Sequence, residues 1–507
     1  MIWLFGRRAN GARGPVVRSL FLALAAAGVQ TASAENIVVN TLNDAASGAT
    51  ACSSTGACNL RDAVERANRN DGPDAISFVS GLGGTITLSQ GELGISEDLT
   101  ITGPGASKLS LVGTATTRIF NISYESPDSL PINVSISGLS MTDAHSTSDG
   151  GAIFADNVNL TLADCAFATN HSEGGGGAVF MAPIVVASLV VQRCSFAGNS
   201  AALNGGGLMA QDVGIVQLDA LSFTGNTTTH FAGGAYLLRV NDGTVNNSLF
   251  KGNHAGTFSL GTGHGGGAIA ATGDKATATL AITNSRFENN ITDHGWGGGI
   301  AINTFGSATL QRLEISGNSA GNNGGGIRST NASVSLQNST LSGNQATSAG
   351  GGIALDLSGD VNFDSVTDVG NTANVGGGLS LTANTSAFAH NTILANNTAN
   401  TGVDSNGQVS LHYSLLKSTS GGSAAAGSAN NLPTGTDPLL GALGVNGGPS
   451  LTLLPASNSP ALNAGDPATA GGTDQRGLPR VSGAHVDMGA VERQSPEDVI
   501  MRTGFDG

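Results

Sequence analysis

The 507-residue chain carries 36 acidic against 21 basic residues, a formal charge of −15, with charged residues at only 11% and aromatics at 4%. That balance excludes nucleic acid as a partner, because phosphate binding needs a basic face, and 39% hydrophobic residues exclude a disordered chain. The 76 glycines point to a body made of many tight turns and small stacked interiors.

The chain opens with Arg7, Arg8, Arg13 and Arg18, an apolar run from Leu20 to Val29, and Ala32-Ser33-Ala34. This pattern is that of a secretory signal peptide, residues 1–34, cleaved near Ala34. The apolar run is too short to span about 30 Å of hydrocarbon, so no membrane span is expected after cleavage. Losing residues 1–34 removes four arginines and no acid, leaving 17 basic against 36 acidic residues, or −19. Residues 35–74 then hold a strand pattern (36–43), Cys52 and Cys58 six positions apart, and the amphipathic stretch 59–70. In an exported chain such a cysteine pair is a candidate disulfide. Leu60, Ala63, Val64 and Ala67 recur at helical spacing, and Asp71-Gly72-Pro73 stops the pattern. A helix here can cover the open strand edge at the end of a stack. Cys58-Asn59-Leu60-Arg61-Asp62-Ala63 resembles the CSLREA signature of a family of exported β-helix proteins, with Asn for Ser at 59 and Asp for Glu at 62. The resemblance implies the same capping role.

From 75 to 415 short alternating segments are bounded by Gly, Pro or Asn, as strands are. An apolar residue following a glycine pair recurs as Ile153, Val179, Leu208, Tyr236, Ile269, Ile300, Ile327, Ile353 and Leu379, at steps of 26 to 33 residues. A closing asparagine keeps the same rhythm: Asn170, Asn199, Asn226, Asn253, Asn290, Asn318, Asn344, Asn371 and Asn397. Periods of this size mean a solenoid. The expected fold is all-β: a right-handed parallel β-helix of about 12 coils, the hand following from the crossover rule, with a short N-terminal capping helix. Parallel stacking places like residues above like, so Phe167, Phe196, Phe223, Phe250 and Phe287 should form an inner ladder. The asparagines should bond amide to amide along a turn. Cys165 and Cys194 should be stacked neighbours, either bridged or simply small hydrophobes. The GGA[ILV] and FxxN motifs resemble the repeats of polymorphic outer-membrane proteins, a class of bacterial surface adhesins.

Residues 416–433, rich in Ser, Gly and Ala, suggest a loose loop. Residues 434–493 resemble the C-terminal segment of exported β-helix proteins called choice-of-anchor Q, which implies that this segment completes the helix. Asp474, Arg476, Arg480 and Asp487 form an ionic set expected to staple the last coil, and 494–507 read as a terminal tail.

A glycoside hydrolase needs two carboxylates at a defined separation. The densest acidic run, Asp356, Asp360, Asp364 and Asp368, is spaced as an outward solubilising row instead. One constellation stands out. His230, His264 and His294 lie five or six residues before the apolar marker of three successive coils, with Asp293 and Trp296 beside the last. Stacked imidazoles are able to bind a transition metal or respond to pH, and Trp296 offers a sugar-stacking platform. Polar residues of wide turns are the plainer reading of the same five, and neither a metal nor a cofactor is called for. The sequence favours an exported, cell-surface-associated monomer, associated with an outer membrane, that binds extracellular polysaccharide or a host or matrix surface protein along its solenoid face. The alternative is a secreted polysaccharide lyase or glycoside hydrolase.

Overall fold

The computed structural model describes residues 34–45, 52, 56–70, 72–124, 130–183, 186–256, 265–469 and 471–494. Its repeating unit is one coil, seen in Ile153–Asp156, Val158–Ala163, Ala166–Ala168 and His171–Ser172, called here the first to fourth strands. Each pairs in parallel with its counterpart one coil on: Ile153 with Val179, Leu160 with Leu189, Phe167 with Phe196, His171 with Ser200. The protein is thus a parallel β-helix of about 12 coils, with one helix among the described residues. Alternation decides what faces in: Val158, Leu160 and Leu162 are buried while their neighbours are not.

The two inner ladders form as the repeat demands. Phe167, Phe196, Phe223, Phe250 and Phe287 stack with ring centroids 4.8, 4.5, 4.8 and 5.0 Å apart. Each ladder asparagine from Asn170 to Asn344 donates its Nδ2 to the next Oδ1 at 2.9 Å and to a backbone carbonyl one coil back in the stack. Every Oδ1 also accepts a backbone N–H, as Asn199 does from Asn170. Buried amides are costly unless paired, and here every donor and acceptor is used. The row closes where Asn397 donates to the carboxylate of Asp404.

From Gly150 on, the corner before the first strand takes glycine. Gly150 has φ +71°, and a Cβ on Gly151 would lie 2.0 Å from the Gly177 carbonyl oxygen. One coil breaks this rule and shifts the expected register. Ala235, not Tyr236, pairs with Leu208 and Ile269, because Ala232 takes the corner position at φ +60°. Tyr236 therefore points out of the core proper, into a satellite cluster with Phe180, Met209 and Ala270, where burial pushes its hydroxyl pKa up to about 12.

The acidic run also differs from expectation. Asp368 pairs with Leu341 and Leu394 in the phenylalanine ladder and is fully buried. Burial raises its pKa to about 8, and its Oδ1 accepts from Asn371 at 2.7 Å. Four-residue spacing places an acid inside or outside a coil only through the bend that intervenes, and that bend falls at Ser365, φ +59°. The expected loose loop 416–433 is instead a final partial coil: Gly422–Ala424 pairs in parallel with Ser405–His412, and Asn431 donates to the Leu411 carbonyl.

At the other end the helix Leu60–Ala67 is capped by Asn59, whose side chain accepts from the Asp62 N–H at 2.9 Å and donates to the Asp62 carboxylate at 2.7 Å. Leu60, Ala63, Val64 and Ala67 face the interior. Polar side chains of the same segment serve the bare edge of the strand Leu93–Ile95 and its flanks. Arg61 donates to the Gly91 and Glu92 carbonyls, and Asn68 bonds the Gly94 carbonyl and the Ser96 N–H. An unpaired strand edge invites aggregation; these contacts fill its hydrogen-bonding groups. Cys52 and Cys58 are joined by a disulfide beside this helix. Cys165 and Cys194 are stacked neighbours, buried and unbridged, the Cys194 sulfur accepting the Cys165 N–H at 3.3 Å.

The C-terminal segment does not complete the helix. After the hairpin Leu440–Val445 and Leu451–Pro455 it folds back along the outside of the coils already laid down. Its four ionic residues knit the segment to itself. Asp474 holds Arg476 in a fork at 3.0 and 2.8 Å, while Arg480 donates to the Gly489 carbonyl and Asp487 accepts the Asn463 and Arg493 N–H groups.

Candidate functional site

Between the second and third strands each coil turns on one residue in the left-handed conformation: Asp164, Arg193, Ala220, Asn247, Asn284, Arg312, Asn338, Ser365, Asn391 and Tyr413, with φ between +46° and +59°. Aspartate and asparagine tolerate that region, so the turn costs no extra residue and the wall bends sharply. The first residue after it in the third strand forms a continuous outward ladder: Ala166, Ser195, Ser222, Leu249, Arg286, Glu314, Thr340, Thr367, Ile393 and Leu415.

That ladder has two fates. From Glu314 onward every member is buried under the C-terminal segment. Leu451 donates its N–H to Glu314, Thr340 bonds Gln475 at 2.6 Å, the Ala490 N–H reaches Thr367, and Ile393 and Leu415 pack with Leu453, Ala461 and Met488. From Ala166 to Arg286 the bend is open. There it forms a groove of about 780 Å³ that crosses five bend residues, Asp164 to Asn284, and ends against Pro449 at the tip of the hairpin. Five bends at about 4.8 Å per coil make a trough about 19 Å long. Its charges are matched internally. Arg193 grips Asp164 through two bonds of 2.7 and 2.8 Å, and Arg286 pairs with Glu288 and with Glu314.

Of the five residues singled out by the sequence, His230, Asp293, His294 and Trp296 lie elsewhere, on the corner that leads into the glycines. His264 falls outside the described residues. Burial lowers the pKa of His230, and His294 is exposed. Asp293 faces His254, at 2.9 Å from its Nε2. Trp296 is half-buried with the Arg328 guanidinium 4.1 Å over its ring, so that face of the indole is occupied by the protein itself. A different set of histidines is stacked. The fourth strands pair His145 with His171, ring centroids 4.6 Å apart, and Glu173 lies within 3.4 Å of both Nε2 atoms. Both histidines stand five residues before a corner glycine, Gly150 or Gly176, and His171 directly follows a ladder asparagine. Both also stand eight residues before the apolar marker of their coils, Ile153 and Val179, so a longer count back from that marker would have found them.

No family model matches the chain, and no curated protein matches it in sequence. Among solved structures it is similar to tailspike protein 3 of bacteriophage CBA120, at 11% identity over 70% of this chain and 55% of that one, TM-score 0.41. It is also similar to pectate lyase Pel9A, at 12% identity over 91% and 97%, TM-score 0.36. A third is the A-module of the Azotobacter vinelandii mannuronan C-5 epimerase AlgE6, at 14% identity over 72% and 93%, TM-score 0.33. The chain spans about half the length of the tailspike. These likenesses concern the fold, and a fold hosts many activities. Function has to come from the residues of this chain.

Proposed function

We propose that this is an exported, cell-surface-associated β-helix protein that binds an extended neutral polysaccharide along the open half of its bend. The observation that carries the reading is an uncharged polar floor over four successive coils. Ser195 and Ser222 line it from the third strands of two coils, and Asn247 and Asn284 from the bends of the next two. An extended polymer lying in the trough meets a hydroxyl or amide side chain at each of these four steps. Because each arginine of the groove already has its carboxylate, hydroxyl-rich chains are favoured over polyanions. The same pairing speaks against hydrolysis, since the one acid lining the groove, Asp164, is held by Arg193 and faces no second free carboxylate there. The signal-like N-terminus and the resemblances to CSLREA, choice-of-anchor Q and polymorphic outer-membrane proteins support export and surface display.

The test is affinity electrophoresis of the full chain in gels containing neutral or acidic polysaccharides, with reducing-end release measured alongside. Retardation by a neutral glycan, lost at least tenfold in Ser222→Trp at unchanged Tm, is expected. Retardation that survives Ser222→Trp, or none with any glycan, overturns the proposal; release of reducing ends would make the protein a depolymerase, a lyase if the products are unsaturated and a hydrolase if they are not.

A further inference from the structure

We propose that His145, His171 and Glu173 form a binding site for a divalent transition-metal ion of the zinc class. The site lies on the corner, apart from the groove, and rests on different observations. In-register pairing of His145–Ser146 with His171–Ser172 sets the two imidazoles one above the other. Glu173 follows His171 by two residues, and alternation along a strand returns a side chain two positions on to the same face. The result is three ligand atoms, one from each residue, all within 4.8 Å of one another.

Two of the three spacings are those of a coordination shell, and the third is within 4.8 Å. One Glu173 oxygen lies 3.3 Å from His145 Nε2 and 3.4 Å from His171 Nε2. Ligands at about 2.0–2.1 Å from a tetrahedral zinc lie about 3.3 Å from each other. The second nitrogen of His171 is engaged as a metal-bound imidazole requires: its Nδ1 sits 2.7 Å from the Ser200 hydroxyl, one coil further on. A proton held on Nδ1 by that hydroxyl leaves the Nε2 lone pair for a metal and fixes the ring. Two imidazoles and a carboxylate suit zinc, copper or nickel better than calcium or magnesium. All three side chains are a third or more exposed, so an ion has a path in. Three protein ligands leave a fourth position open to water or to a ligand atom, the arrangement of a reactive rather than a closed structural zinc site. The ion would also tie two successive coils together. His254 with Asp293 offers a second, two-ligand pair three coils along the same ladder, which serves as an internal control.

The experiment is calorimetric titration of the untagged full chain, freed of metal with EDTA, using Zn²⁺ and then Ni²⁺, with Co²⁺ added to read visible absorption. One equivalent of Zn²⁺, a Co²⁺ spectrum of tetrahedral type, and a raised Tm are expected. His171→Ala and Glu173→Gln should each weaken binding at least tenfold, while His254→Ala changes it less than twofold. Since the altered side chains are exposed, Tm in EDTA should be unchanged in all three. Absence of saturable heat with the unaltered chain, or tight binding that persists in both His171→Ala and Glu173→Gln, overturns the proposal.

Discussion

The two halves of the bend are built from one ladder, yet one half is a surface and the other is an interior. Ser195 and Ser222 are partly exposed in an open groove; Thr340 and Thr367, at the same position of later coils, are buried under Gln475 and Ala490. The backbone geometry of the turn is the same in both, a single left-handed residue. What differs is the cover, and its own ion pairs decide whether the cover holds. A repeat therefore fixes the shape of a wall without fixing whether that wall meets water.

The strongest way to break the contrast is Asp474→Ala. It leaves Arg476 buried with its fork unmatched, at a cost of about 3–5 kcal/mol. Limited proteolysis should then cut beyond residue 433 while the coils up to Arg286 stay protected. Next comes one substitution made on each side. Thr367→Trp in the covered half should lose about 2–4 kcal/mol through overpacking and the lost bond to the Ala490 N–H. Ser222→Trp in the open half should stay within about 0.5 kcal/mol. Chemical denaturation checks both, and equal losses would remove the distinction.

From inside the covered half, Asp368 gives a pH signature. Its folded pKa of about 8 lies above the unfolded value near 3.9, so the native state holds the proton longer and stability falls as pH rises between those values. Asp368→Asn should flatten that fall, giving a higher Tm than the unaltered chain at pH 8 and little difference at pH 4. The smallest effect belongs to His390, whose pKa is raised by its bond to Asp364 and by Asp466 of the cover. Its contribution is whole below about pH 6.5 and is lost as pH climbs through the raised value. Hydrogen-exchange protection around Asp466, taken relative to the intrinsic rate at each pH, should fall modestly over that range, and His390→Gln should abolish the change.

Much of the architecture was legible because stacking turns sequence periodicity directly into contact. Phe167 to Phe287 and Asn170 to Asn397 sit where their spacing places them. The failures share one cause: position was counted along the chain across a turn of variable length or form. Ala232 standing for a corner glycine shifted Tyr236 by one, and the bend at Ser365 carried Asp368 inward. The histidine pairing at His145 and His171 stands eight residues before Ile153 and Val179 alike, further from that marker than the turn histidines that drew the count. The groove itself had no sequence signal, because its boundary is set by where a segment more than a hundred residues away folds back, as Glu314 with Leu451 shows.

The asparagine row has a direction, each amide passing a hydrogen to the coil that follows. Asp404 only accepts: it takes the last ones from Asn397 and from the Ser418 N–H. A carboxylate in that place works as a full stop, buried beneath the partial coil that follows. The row therefore ends inside the protein on an acceptor, and no unsatisfied amide is left at the edge of the stack, where an open donor would invite another strand.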